Sequence, residues 1–133
     1  MTSVHDEPVE VVAPVGRQIT GPITTIDYHT AGEPFRIVTG GVEPPAGATM
    51  LDRRATAIAE LDHVRAFIVN EPRGHADMYG CFVTPPDDDG AAFGLVFFHK
   101  DGFATACGHG MIAGVTWALH SGLVPAVAPL TTL

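Results

Sequence analysis

Positive charge is scarce in this chain. Seven Lys and Arg stand against 15 Asp and Glu, for a formal net charge of -8. A phosphate-gripping protein needs a basic face, so nucleic acid is excluded as an expected partner. An anionic membrane surface is excluded on the same ground. Long hydrophobic runs are missing too: none approaches the ~20 apolar residues that cross a bilayer. The acidic, proline-containing start MTSVHDEPVEVVAPVGRQ has neither the basic region nor the apolar region of a secretion signal. Cysteine is nearly absent. Cys81 and Cys107 make no disulfide framework, which points to a reducing, cytoplasmic setting. With no second Cys or His at ligand spacing from Cys107, no metal site is expected.

What remains is a chain of 133 residues, 46% hydrophobic and 17% charged, enough for one domain with a core. Residues 1–20 read as a flexible tail carrying one early strand signal at Val9–Val12. From residue 21 the chain alternates short elements. ITTIDYH and PFRIVTGG are β-branched and aromatic runs, separated by TAGEP, where Gly32 and Pro34 mark a turn. Leu51, Ala55, Ile58, Leu61, Val64 and Ile68 recur at steps of three and four. They predict one helix, capped by Asp52 and ended by Glu71-Pro72. CFVTPP and AAFGLVFFH read as strands, the second apolar enough to be buried on both faces. A last helix is predicted over 108–120. Ile112, Val115 and Leu119 form its apolar stripe, Gly122 is the left-handed residue after it, and Pro125 stops it. The order β-β-α-β-β-α defines an α+β fold with mainly antiparallel strands. The final VPAVAPLTTL reads as the start of another strand.

The stretch ATACGHGMIAGV sets a cysteine at the mouth of that last helix. A helix start offers unpaired N–H groups and the positive end of the dipole, and Gly108 and Gly110 let a ligand come close to them. Such a place holds a carboxylate and lowers the pKa of a thiol beside it. Cys107 would then be a base next to an anion cradle, suited to taking a proton from the carbon adjoining a carboxylate. A small buried cysteine in a strand-to-helix turn is the plainer reading of the same residues. His109 would pair with the thiol only if its ring turned back toward it.

Four collinear stretches carry a resemblance to a known family: DYHTAGEPFRIVTGG, LDHVRAFIVNEPRGHADMYGCFVTPP, FGLVFFHKDGF and TACGHGMIA. Together they resemble the proline racemase family over nearly everything from Ile23 to Pro129. The resemblance implies a diaminopimelate epimerase-like fold, of which residues 21–133 form the N-terminal one of two pseudo-symmetric halves. It implies an active site between the halves, no cofactor and no metal. The substrate class it implies is a small imino acid, proline or hydroxyproline, with the C-terminal half as the missing partner and a homodimer as a further expectation. By the same resemblance Cys107 is the catalytic cysteine, Gly108 and His109 hold the substrate carboxylate through their backbone N–H groups, and Tyr79 lines the ring pocket. His75 and Asp77 buttress the cleft, Glu33 satisfies backbone donors in its turn, and Cys81 is core packing. Ala106 stands where the family usually has methionine. The family contains proline racemases, 4-hydroxyproline 2-epimerases and trans-3-hydroxy-L-proline dehydratases. The motifs before Cys107 lean slightly toward the dehydratases, and the residue that separates the classes lies beyond Leu133.

Overall fold

In the computed structural model, residues 18–127 are described. The strand signal at Val9–Val12 lies outside them, as does most of the last expected strand. Five strands make one sheet in the order β1-β2-β3-β4-β5. They are β1 (Ile19–Thr30), β2 (Glu33–Val42), β3 (Tyr79–Thr84), β4 (Gly94–His99) and the two-residue β5 (Gly102–Phe103). All neighbours are antiparallel except β2 and β3, which run parallel and are joined through two helices, α1 (Met50–Glu60) and α2 (Asp62–Val69). The third helix, α3 (Gly108–His120), has the predicted bounds.

Period-two alternation sorts the strand residues onto two faces. The ladder aligns Tyr28, Phe35, Tyr79 and His99 in one row across four strands, and Ile26, Ile37, Cys81 and Phe97 in the next on the same side. Phe35, Ile37, Cys81 and Phe97 pack with Ala113 and Trp117 of α3. Val38, Phe82, Val96 and Phe98 point the other way, onto Ala57, Leu61, Val64, Ile68 and Val69 of α1 and α2. The sheet is therefore a middle layer, with α3 on one side and α1–α2 on the other.

Three expectations about the helices are corrected. The predicted single helix breaks at Leu61, whose φ of -116° and ψ of 4° leave the helical region. The break lets Leu61 lie fully buried between α1 and α2. The cap is Thr49, not Asp52: the Thr49 hydroxyl accepts from the Asp52 N–H, and Asp52 answers to the Thr49 N–H as the third residue of a capping box. The inward face also differs. Leu51 is 72% exposed and Ala55 and Ile58 are exposed, while Arg53 and Ala57 face the core. Arg53 is tolerated there because it donates to the Gly47 carbonyl, the Thr84 hydroxyl and the Pro85 carbonyl. The helix ends at Val69, ahead of a cis Glu71-Pro72 bond.

In α3 the expected stripe is likewise turned around. Ile112 is 57% exposed, and the face on the sheet is made of Gly110, Ala113, Gly114 and Ala118. Close approach explains it. A Cβ on Gly110 would stand 2.5 Å from the Phe35 ring, and one on Gly114 2.7 Å from Leu95. Small residues face the sheet and larger apolar ones face outward. Gly122 has the expected positive φ, 76°, and its N–H donates to the Leu119 carbonyl.

Candidate active site

The β1–β2 hairpin closes through Ala31 and Gly32, both with positive φ (50° and 89°), the two-residue turn that suits the twist of paired strands. Its free donor, the Gly32 N–H, goes to His29 Nδ1 at 3.2 Å. Glu33, expected to satisfy backbone donors here, is exposed as the first residue of β2, and His29 takes that part. The hairpin end is tied to the start of α3: the Thr30 hydroxyl donates to the His109 carbonyl at 3.1 Å. At the far end of α3, the Tyr28 hydroxyl and His120 Nδ1 lie 3.1 Å apart. The loop leading into α3 is held from the opposite layer, where Arg54 donates to the Phe103 and Ala104 carbonyls.

These ties fix Cys107 as the N-cap of α3, in extended backbone geometry and without a side-chain cap bond. The helix ladder begins with the Met111 N–H on the Cys107 carbonyl, at 2.9 Å. The N–H groups of Gly108 and His109 therefore precede the ladder. A Cβ on Gly108 would meet nothing within 4 Å, so the side-chain side of this residue is open. The sulfur is half-buried against the cluster holding Phe35 and Cys81. His109 Nδ1 lies 3.4 Å from it.

The His109 ring turns back because two rings hold it. Tyr79 meets it edge to face with centroids 4.8 Å apart, and Phe35 does so at 5.8 Å. Tyr79 is braced in turn by its cross-strand neighbour His99, at 5.7 Å. Tyr79 thus restrains the imidazole and keeps part of its own surface free. His75 and Asp77 are exposed in the segment before β3, where the His75 ring accepts from the Asp77 N–H at 3.2 Å. The hydrogen bonds of His75 stay within that turn. The structure thus brings together Cys107, Gly108, His109 and Tyr79.

Electrostatics here run against one expectation. Burial pushes the Cys107 thiol above its ordinary value, and the Gly110 N–H pulls it only part of the way back. Losing water around a thiolate costs more than one amide bond returns. Deeply buried Cys81 is pushed up further, first by burial and then by Cys107. Burial therefore favours the thiol form of Cys107, with the His109 imidazole within hydrogen-bonding reach. Thr30, Phe35, Arg54 and His99 were not singled out in the sequence. Thr30 lies inside the HTAGEP motif, but the other three have no local signal, because strand register and a distant helix deliver them. Among the described residues, no group of three or more His, Cys, Asp or Glu is placed to hold a metal ion, and no helix is long and apolar enough to cross a membrane.

The geometry defines a class: an α+β lobe that presents a cysteine, an imidazole and free amide donors together at a helix start. Comparison with known proteins gives the family. The chain belongs to the proline racemase family, whose profile, described as Proline racemase, matches residues 25–133. A trans-3-hydroxy-L-proline dehydratase of Bacillus thuringiensis is 52% identical over 100 residues, which are 75% of this chain and 30% of the relative. A proline racemase of Acetoanaerobium sticklandii is 42% identical over 111 residues, 84% of this chain and 33% of the relative. In three dimensions the chain matches a hydroxyproline epimerase from Agrobacterium vitis, solved with trans-4-hydroxy-L-proline bound. The TM-score is 0.73 at 26% identity, over 80% of this chain and 32% of the other. The chain spans about a third of the length of the relatives it matches.

Proposed function

We propose that this chain is the N-terminal, cysteine-bearing lobe of an enzyme that takes the Cα proton from proline or a hydroxyproline without a cofactor. The observation that carries the reading is the Cys107 sulfur, 3.4 Å from His109 Nδ1, beside the N–H groups of Gly108 and His109 that precede the helix ladder. The substrate carboxylate sits on those N–H groups, where the helix dipole stabilises the charge that develops as the Cα–H bond breaks. His109 takes the thiol proton and the resulting thiolate takes the Cα proton. The raised Cys107 thiol suits the reverse step as well, since a group that holds its proton at neutral pH can also deliver one. Tyr79 lines the ring side of the site while holding His109. His75 and Asp77 buttress the loop before β3. The second lobe supplies the residue on the opposite face of the substrate and packs on the outward apolar side of α3, at Met111 and Ile112.

Within this class the reading leans to trans-3-hydroxy-L-proline dehydration. The proton leaves C2, the 3-hydroxyl departs as water after accepting a proton, and the electron pair of the C–H bond forms the C2–C3 double bond. The 52% identity to the Bacillus dehydratase, against 42% to the racemase, supports the lean. Epimerisation of proline or 4-hydroxyproline is the second reading, favoured by the fold match to the Agrobacterium epimerase. Product analysis separates them. The full-length enzyme is incubated with trans-3-hydroxy-L-proline, L-proline and trans-4-hydroxy-L-proline in turn. Loss of water from the first, with the other two unchanged, is the expected result. Epimers of the other two, without water loss, would establish the second reading, and no reaction of any would remove both.

A further inference from the structure

The two rings that grip the His109 imidazole are held in different ways. Phe35 is fully buried, so its neighbours leave it no room to turn. Tyr79 is only half-buried, and among the described residues no hydrogen bond holds its hydroxyl. Its orientation is therefore set by the rings on either side. Those are two imidazoles: His109 with centroids 4.8 Å away and His99 at 5.7 Å. Tyr79 and His99 stand directly opposite each other in the antiparallel β3–β4 ladder, where side chains on one face are in reach of each other. We infer that His99 is a positioning residue for the base of the thiol: acting through Tyr79, it keeps the His109 ring turned toward the Cys107 sulfur.

His99 is well placed for this, because it is itself fixed from three directions. It is the last residue of β4 and pairs with Gly102 of β5 across a tight turn. Its ring Nδ1 accepts from the Asp101 N–H at 3.1 Å, which sets the tilt of the imidazole. Its carbonyl and that of Lys100 accept from Arg65 of α2, at 3.1 and 2.6 Å. Arg65 is buried and paired with Asp62 at 2.7 Å, so it is a firm anchor. The brace thus runs from the α1–α2 layer, round the end of the sheet, to the start of α3 on the other face. Without the His99 ring, space opens beside Tyr79 and that ring can tilt away. His109 is then gripped by Phe35 alone, and its Nδ1 is free to leave the sulfur 3.4 Å away.

The inference rests on the proposed pairing of Cys107 with His109, but its test needs no substrate. Two variants of the 133-residue chain separate the two contacts of the His99 ring. His99→Asn keeps an acceptor for the Asp101 N–H and removes the ring. His99→Phe keeps a ring against Tyr79 and removes the acceptor. Two readouts are taken. One is the His109 ring C–H signals in NMR spectra, which the neighbouring aromatic rings displace. The other is the rate at which iodoacetamide alkylates Cys107 near neutral pH, since the thiolate is the reacting form. Peptide mass spectrometry distinguishes Cys107 from the fully buried Cys81. Asparagine is expected to move the His109 signals and slow alkylation about threefold, the scale on which one lost aromatic contact shifts a two-orientation equilibrium. Phenylalanine is expected to keep both near the parent. Parent values in the asparagine variant, or equal losses in the two variants, would overturn the inference. A lowered melting temperature with both readouts unmoved would mark plain sheet packing and also overturn it. Should the asparagine variant lack a melting transition, His99→Leu measured against His99→Phe gives the same comparison of ring against no ring. A failed proposed function shows elsewhere, as no turnover of any imino acid by the full-length enzyme.

Discussion

At the scale of single residues, the site depends on how closely α3 lies on the sheet. Gly110→Ala would drive a Cβ to 2.5 Å from the fully buried Phe35 ring and 3.0 Å from the Cys107 sulfur. A buried ring between packed neighbours cannot yield, so a destabilisation of about 1–3 kcal/mol is expected, read by urea unfolding. Gly114→Ala meets only the end of the Leu95 side chain and is expected to cost less. Equal costs at the two sites would show that the helix can move off the sheet. The cysteines set a pH dependence. Both thiols are raised in the folded chain, so the folded state keeps its protons where the unfolded chain releases them, above about pH 8.5. Their contribution to stability is complete below that pH and is lost as pH climbs toward the folded values. The melting temperature is expected to fall between about pH 8 and pH 10, and to fall less steeply in Cys81→Ala. A slope unchanged by that substitution would contradict the burial argument. The orientation of His109 was beyond the sequence, since Tyr79 and Phe35 impose it from two strands far away in the chain.

At the scale of elements, what the sequence made legible was local chemistry. The bounds of α3 were readable because glycine opens it and Gly122 and Pro125 close it. The face of α3 was not, because apolar periodicity marks large side chains and here the inward positions are small so that backbone can approach backbone. Helix α1 misled for a related reason. Leu51 and Ile58 point outward while Arg53 is buried, satisfied by carbonyls that only the folded loops bring to it. The parallel pairing of β2 with β3 had no local signal either, since it depends on α1 and α2 folding back across the sheet. The capping box on α1 gives a direct test of an element. Thr49→Ala removes the acceptor of the Asp52 N–H and is expected to cost about 1 kcal/mol by urea unfolding. No loss would mean that the loop carbonyls on Arg53 and the Asp87 carboxylate on the Met50 N–H hold the helix start alone.

At the scale of the whole molecule, the proposed function makes this chain one wall of the site. The sheet, the two hairpin ties and the arginine-anchored loop hold sulfur, imidazole and amide donors in place without help from further chain. Under the proposed function, what the reaction needs besides this is a group on the other face of the substrate. The 133-residue chain is therefore expected to bind pyrrole-2-carboxylate, a planar mimic of deprotonated proline, at least about 100-fold more weakly than the full-length protein does, as read by calorimetry. Equal affinities would place the whole binding site in this lobe. The most direct measurement of the central claim is exchange of the substrate Cα hydrogen in deuterated water, followed by proton NMR in the full-length enzyme and in its Cys107→Ser variant. The parent is expected to exchange and the variant to lose exchange by about a thousandfold or more with its melting temperature retained. Exchange in the variant at the parent rate would contradict it.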